Sequence, residues 1–300
     1  MRAVILPAYG SAAALVLGDM PEPSPGAGEI KVRVAAAGLN PIDWKQRSGL
    51  FHKYMPLQLP TILGRDVAGE VVALGEGVTT PAVGTRVCGL TWRTYAEFVV
   101  APVSAWAEVP AGMNLVDAAA LPLALLTGAQ LFDATQLREG DKVLVTGATG
   151  AVGRVAVYLA KTRGATVYAG VRARHAAEAT KLGARAVVAL DDARQLENLP
   201  TLDALADTVG GETTQALLPK LKVGGHIGSI VGEPPGAKER GLQAHAFFTV
   251  ADAPRLAALL GEVAAGKLTI PIARRMPLAE AAQAHAVAEL GGGGKVLLLL

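Results

Sequence analysis

The chain has 300 residues, enough to bury a large core and, by the usual size of folding units, about two domains. Its 28 basic residues nearly balance 26 acidic ones and form no long run, which argues against a nucleic-acid partner. Hydrophobic residues make up 51%, much of it alanine, but the apolar stretch at 118–126 contains Pro122 and runs into Thr127 and Gly128, far short of the roughly 18 residues a spanning helix needs.

The first residues, Met1-Arg2-Ala3-Val4-Ile5-Leu6-Pro7, are too brief an apolar run for a signal peptide. Cys88 is the single cysteine, so an intrachain disulfide, a four-cysteine zinc site and a redox pair are all excluded. The expectation is a soluble, cytoplasmic α/β protein with no membrane partner.

Short alternating runs at 30–35, 67–74, 85–90 and 95–101 predict strands, separated by turn residues at 21–26 and 75–77. Near Val116 the texture changes. Asp117 is placed to cap a helix over 118–126, followed by a second helical stretch to about Gln136. Alternating units follow, with strands at 142–146, 165–169, 186–190, 202–209 and 225–231. Helices at 152–163, 174–182 and 213–221 lie between them, which implies right-handed crossovers and a parallel sheet. After Phe247 come helices at 254–265 and 279–290, a glycine turn at 291–294 and a strand at 295–300. This tail carries too little core for a third domain, so residues 114–247 read as a domain inserted between 1–113 and 248–300.

The most informative segment is Gly147-Ala148-Thr149-Gly150-Ala151-Val152-Gly153, which follows a predicted strand and opens a predicted helix. Gly147 suits the tight turn, Gly150 lets backbone approach a pyrophosphate, and Gly153 lets the helix lie close to the sheet. The first-turn N–H groups and the positive end of the helix then face the anion. About 20 residues on, where an NAD enzyme carries an acidic side chain for the ribose, this chain has Arg172 and Arg174. Planar guanidiniums suit a 2′-phosphate, so the expected cofactor is NADPH; the alternative is that both are solvated arginines at a helix start.

The glycine string also occurs in extended short-chain reductases, which place it near the N-terminus and use a Tyr-x-x-x-Lys pair. Four residues after Tyr9, Tyr54, Tyr95, Tyr158 and Tyr168 stand Ala13, Gln58, Val99, Thr162 and Arg172, so that reading fails. Essentially the whole chain instead resembles the medium-chain dehydrogenase/reductase family, in particular its zinc-free, zeta-crystallin-like quinone oxidoreductases. The resemblance is carried by Asn40-Pro41-Ile42-Asp43-Trp44-Lys45, by Gly64-Arg65-Asp66-Val67-Ala68-Gly69, by Val83-Gly84-Thr85-Arg86-Val87 and by Tyr95-Ala96-Glu97-Phe98-Val99. Late in the chain, residues 277–285 and 294–296 also match. It implies a GroES-like, β-rich catalytic domain with an inserted Rossmann domain, a doubly wound parallel sheet.

Zinc-dependent members have cysteine where this chain has Asn40 and a His-Glu pair where it has Arg65-Asp66, and the four-cysteine lobe is missing between Leu90 and Tyr95. No zinc is expected. The resemblance implies hydride transfer from NADPH to quinones or to the C=C bond of α,β-unsaturated carbonyls. Lys45 is the candidate for anchoring the substrate carbonyl, or else a surface lysine paired with Asp43. Asn40 is placed to hold the nicotinamide ribose or a substrate oxygen, or simply its own loop. Relatives carry Thr127 near the nicotinamide; otherwise it bonds its own helix backbone. Gly210, Gly232, Phe248 and Val250 correspond to loops that approach the nicotinamide, and Lys295 to a residue that reaches a phosphate. Tyr54 and Trp92 are candidate apolar walls of the substrate pocket, and Arg65 with Asp66 is read as an ion pair at the old metal position. The family also implies a homodimer. Two other readings stay open: a nucleotide-binding, crystallin-like protein without turnover, and a metal-free carbonyl reductase.

Overall fold

The computed structural model describes residues 1–291 and 293–300. The turn expected at 291–294 therefore includes Gly292, which lies outside the described residues.

In chain order the strands and helices begin with β1 (Arg2–Leu6), β2 (Val16–Asp19), β3 (Glu29–Gly38), α1 (Pro41–Arg47), β4 (Thr61–Ile62) and β5 (Asp66–Leu74). Next come β6 (Arg86–Leu90), β7 (Phe98–Pro102), β8 (Trp106–Glu108), α2 (Leu115–Ala118) and α3 (Pro122–Ala134). The alternating part comprises β9 (Lys142–Thr146), α4 (Ala151–Thr162), β10 (Thr166–Val171), α5 (Ala176–Ala179) and β11 (Ala186–Ala189). It continues through α6 (Ala193–Glu197), β12 (Leu202–Asp207), α7 (Gly211–Leu217), β13 (Leu221–Ser229) and β14 (Gln243–Ala246). The chain closes with α8 (Ala253–Ala264), β15 (Ile272–Pro277), α9 (Ala281–Leu290) and β16 (Lys295–Leu299).

Two compact units result, one of residues 1–123 with 251–300 and one of residues 124–250. In the first, a sheet in the order β15-β16-β3-β5-β6-β8, with β7 also on β3, accompanies a small sheet β2-β1-β4. Antiparallel pairing dominates, and β3 and β5 bury alternate valines such as Val32, Val34, Val67 and Val71 in one core. The tail enters this unit through β16, whose Leu297, Leu298 and Leu299 pair with Gly38, Ala37 and Ala36. The strands at 2–6 and 16–19 were not expected from the sequence. They are short and gain their stability from the small sheet and from the core around Val4, Leu6 and Tyr95.

The second unit is a six-stranded, wholly parallel sheet in the order β11-β10-β9-β12-β13-β14. The chain leaves β9 in one direction through β10 and β11, then returns to the other side of β9 with β12. The carboxyl end of β9 is therefore the switch point, where doubly wound sheets present a ligand crevice.

Three expected elements differ in detail. Asn114, not Asp117, caps α2: its side chain accepts from the Asp117 N–H at 3.2 Å, while the Asp117 carboxylate pairs with Arg275 at 2.6 Å. The helix expected at 174–182 breaks into short turns, and the Thr180 hydroxyl tightens the last by donating to Ala177 O at 2.8 Å. Strand β12 stops at Asp207 because that carboxylate takes the N–H groups of Val209 and Gly210 at 3.0 Å each and folds the chain over. The helical run Leu115–Ala134 is long and apolar enough to cross a membrane, yet 72% of its most apolar 18-residue stretch is buried inside the protein, as in a core helix.

Candidate active site

In the parallel unit, the glycine loop joins β9 to α4 at the switch point. Gly147 has φ +60, and a Cβ there would sit 2.3 Å from Thr208 Oγ1. A Cβ on Gly153 would lie 2.3 Å from Gly147 O and 2.8 Å from Ala148 Cα, both backbone atoms that cannot swing aside. Ala148 is fully buried and its N–H bonds Gly170 O at 3.1 Å. Thr149, Ala151 and Val152 are partly exposed, and Gly150 is exposed at the N-cap. No side chain caps α4, and its first turn holds no acidic residue, so its N–H groups and positive end remain for an anion. These residues fit the pyrophosphate of a dinucleotide.

Residues that the sequence reading missed hold this loop in shape. Arg154 donates through Nε to Thr149 O at 2.9 Å and pairs with Glu178. Thr146 Oγ1 donates to Asp207 at 2.9 Å and accepts from the Thr208 N–H at 2.8 Å, while Asp207 also accepts from Thr214 at 2.8 Å. Asp207 thus fixes the turn that carries Gly210, whose φ is +73. A buried carboxylate at a parallel strand's carboxyl end is the signal that would have marked it. Arg172 and Arg174 lie exposed just beyond β10. Their turn is anchored by Asp191, which accepts from the Ala173 N–H at 2.8 Å.

The Thr127 hydroxyl on α3 pairs with that of Thr249 at 2.7 Å rather than with its own helix backbone. Gln130, one turn on, clasps Val250 from both sides, donating to its carbonyl at 2.8 Å and accepting from its N–H at 3.2 Å. The segment bearing the exposed Phe248 and Val250 is thereby tied to α3. Gly232 has φ +105 with open space where a Cβ would be.

In the β-rich unit, Asn40, Asp43, Asp66, Tyr95 and Lys295 form one buried cluster. Asn40 is the N-cap of α1; its N–H donates to Asp43 Oδ2 at 2.8 Å, and its side-chain Nδ2 donates to Asp66 Oδ2 at 2.9 Å. Asp66 Oδ1 accepts from the Leu123 N–H at 2.6 Å. The Lys295 ammonium donates to Asp66 Oδ2 at 2.9 Å and to Asn40 Oδ1. Lys295, expected to reach a phosphate, therefore has its charge engaged inside its own unit. Asp66 pairs with Lys295 rather than with Arg65, which corrects the expected ion pair.

Asp43 is completely buried. Tyr95 donates to its Oδ2 at 2.9 Å, and Oδ1 has no hydrogen-bond partner. Burial pushes its carboxyl up to about 7, with the Asp66 charge adding to the rise and the Asn40 N–H and Tyr95 hydroxyl opposing it. Behind Tyr95, the ring of His285 stands edge-on at 5.7 Å, and His285 Nδ1 meets Arg47 at 3.3 Å. Burial, then the Arg47 charge, lower the His285 pKa to about 3, so this imidazole is neutral. A carboxyl raised from about 3.9 in the unfolded chain binds more protons folded than unfolded in that interval. Asp43 thus contributes stability that is present below about pH 4 and lost as pH rises toward about 7. Urea midpoints across this range should fall with pH more steeply for wild type than for Asp43→Asn; parallel profiles would contradict the assignment.

Lys45 does not pair with Asp43. Its ammonium lies 5.7 Å from the Trp44 ring centre and 5.6 Å from that of Phe51, and partial burial lowers its pKa from the usual lysine value. Tyr54 is 74% exposed, tilted against Phe51, so no wall encloses it within this unit. The Trp92 face is covered: the Arg65 guanidinium lies 3.6 Å above the ring centre.

Residues 26–111 match the alcohol dehydrogenase GroES-like domain, and residues 182–298 match the zinc-binding dehydrogenase family. Over 189 residues the chain is 38% identical to the chloroplast envelope quinone oxidoreductase homolog of Arabidopsis thaliana, a match covering 60% of this chain and 57% of that protein. The fold superposes on the quinone oxidoreductase of Coxiella burnetii with a TM-score of 0.93 at 32% identity, covering 100% of this chain and 99% of that one. A mycobacterial protein complexed with NADPH superposes with a TM-score of 0.87 at 31% identity, each chain covered to 100%. With its GroES-like domain and parallel dinucleotide-binding sheet, the chain belongs to the medium-chain dehydrogenase/reductase family, among the quinone oxidoreductase homologues.

Proposed function

We propose that this protein is an NADPH-dependent reductase of quinones or of the C=C bond of α,β-unsaturated carbonyls, working without zinc. The observation that carries the cofactor choice is the pair of exposed guanidiniums, Arg172 and Arg174, just past β10 where a ribose-binding carboxylate would stand. The NADPH-complexed relative supports the same reading. The glycine loop and the uncapped start of α4 would hold the pyrophosphate; when bound, the reduced nicotinamide supplies a hydride.

Zinc does not fit the residues present. Asn40 and Asp66, at two of the metal-ligand positions of zinc-dependent relatives, both bond the Lys295 ammonium, and Arg65, at the third, is a cation. Cys88 is fully buried, and burial raises its thiol pKa, so it offers no thiolate.

The acceptor gains a hydride at its electron-poor carbon, and negative charge develops on its oxygen. Lys45 donates to that oxygen, and its lowered pKa makes its ammonium a readier proton donor to the forming enolate. Asn40 and Asp43 are positioning residues that set the start of α1, and with it Lys45. Consumption of NADPH with a panel of quinones and enones tests the reading, with saturated ketone as the product from enones. Binding without turnover on any acceptor would point to a nucleotide-binding protein, and allylic alcohol to a carbonyl reductase. Arg172→Ala with Arg174→Ala should shift the NADPH/NADH preference in kcat/KM at least about tenfold toward NADH. An unchanged preference would remove the phosphate-pocket assignment.

A further inference from the structure

Arg65 and Trp92 form a cationic arrangement in the β-rich unit that the chemistry above leaves unused. Arg65 stands between Gly64 and the start of β5. Its Nε donates to Thr91 O at 2.9 Å, and its guanidinium lies over Trp92 with Cζ 3.6 Å from the ring centre. These two contacts hold the group in position.

The turn that supplies them is itself pinned. The Thr91 N–H bonds Arg65 O at 2.9 Å and the Tyr95 N–H bonds Leu63 O at 3.2 Å. Between them Arg93 has φ +62, a left-handed conformation that is unfavourable for a residue with a Cβ and persists only where its surroundings enforce it.

The outer half of the guanidinium has no protein hydrogen-bond partner among the described residues. Neither Nη is a fully occluded polar atom, so the fork of this half-buried side chain keeps its donors unused. Nor do the neighbouring carboxylates claim it. Asp66 is taken by Leu123, Asn40 and Lys295, and Asp43 by the Asn40 N–H and Tyr95. Lys295 is the hydrogen-bonded partner of Asp66, while the charges of Asp43 and Asp66 reach Arg65 through space and favour its charged form without bonding its fork.

We propose that Arg65, held over Trp92, recognises a carboxylate carried by the acceptor, so that the substrate class is a conjugated ketone or quinone bearing a carboxylate group. This rests on the reductase reading above. A guanidinium fork matches a carboxylate in a bidentate, planar geometry, and one already held in place loses little freedom on binding. Lys45, a compact point charge, suits the carbonyl oxygen instead. Trp92 is then a platform for a cation rather than an apolar wall, and the selectivity it supports is for charge.

A phosphate of the dinucleotide offers the same oxyanion chemistry, and the test separates the two sources. Acetylacrylate and its primary amide share one conjugated ketone and differ in the carboxylate. Wild type should reduce the acid with a kcat/KM at least about tenfold above that for the amide. Arg65→Met should lower that acid-to-amide ratio about tenfold, with Arg65→Lys and Trp92→Leu falling between it and wild type. A wild-type ratio near one overturns the proposal whether or not the variants fold. So does an Arg65→Met variant whose acid-to-amide ratio is unchanged while its affinity for NADPH drops tenfold, which would assign the fork to a cofactor phosphate. Turnover of uncharged quinones without preference for the acid overturns this proposal alone; turnover of no acceptor with either NADPH or NADH overturns the reductase reading as well.

Discussion

Gly153→Val should raise the dissociation constant for NADPH by about a hundredfold or more and destabilise the protein by about 1–3 kcal/mol. The first atom of the new side chain would sit 2.3 Å from Gly147 O and 2.8 Å from Ala148 Cα. Both belong to backbone, so relief comes only from moving α4 away from the loop or the loop away from its phosphate-binding position. Charged hydrogen bonds contribute about 1.5–3 kcal/mol each, so displacing two of the loop's N–H groups is enough for the expected loss. Gly150→Ala is the informative companion. Its Cβ would meet a single protein atom, Gly147 O at 3.1 Å, and its backbone at φ −68 and ψ 161 suits alanine. It should lose less stability than Gly153→Val and still bind NADPH more weakly, because the methyl group would occupy space the pyrophosphate needs. Fluorescence titration and urea unfolding of both variants give the two readings separately. Binding by Gly153→Val within threefold of wild type would show that the cofactor does not use this loop.

That loop was legible because its requirements are local. The tight turn, the close helix and the uncapped first turn all follow from residues adjacent in the chain, and the strand before and helix after them carry strong periodicity. The fold class was legible for the same reason, since alternating strands and helices leave few topologies. What was not legible depends on partners that only the topology brings together. Lys295 is separated from Asn40 by 255 positions, and its strand pattern says nothing of where its ammonium goes. Arg65 beside Asp66 suggests an ion pair to any reader of the sequence. The sheet instead gives Asp66 to Lys295 and lays Arg65 on Trp92. Asp117 was a reasonable helix cap, but Asn114 begins the helix a turn earlier and frees Asp117 for Arg275. Asp207 and Arg154 were passed over because each acts by bonding backbone or a neighbouring strand, which leaves no spacing motif.

Removing Asp66 should be the most damaging single change for the β-rich unit. Asp66→Ala leaves the Lys295 ammonium buried at 7% exposure with only Asn40 for company, and it also strips the acceptor from the Leu123 N–H. Breaking one side of a buried ion pair costs about 3–5 kcal/mol, because the remaining charge keeps its desolvation penalty and loses its partner. The reverse logic applies to the pair as a whole. Asp66→Asn with Lys295→Met removes both charges, retains a carbonyl oxygen able to accept from Leu123, and fills the ammonium's space with an unbranched apolar chain. The double variant should therefore be far more stable than the sum of its single variants, by a coupling of about 1–3 kcal/mol in urea denaturation. The same pair bears on the metal question. Zinc added to Lys295→Met, where Asn40 and Asp66 no longer hold an ammonium, should still fail to restore stability, because Asn40 and Arg65 are poor ligands for it. If Asp66→Ala costs less than about 1 kcal/mol, or if the single-variant losses simply add, the buried cation is not what holds this cluster together.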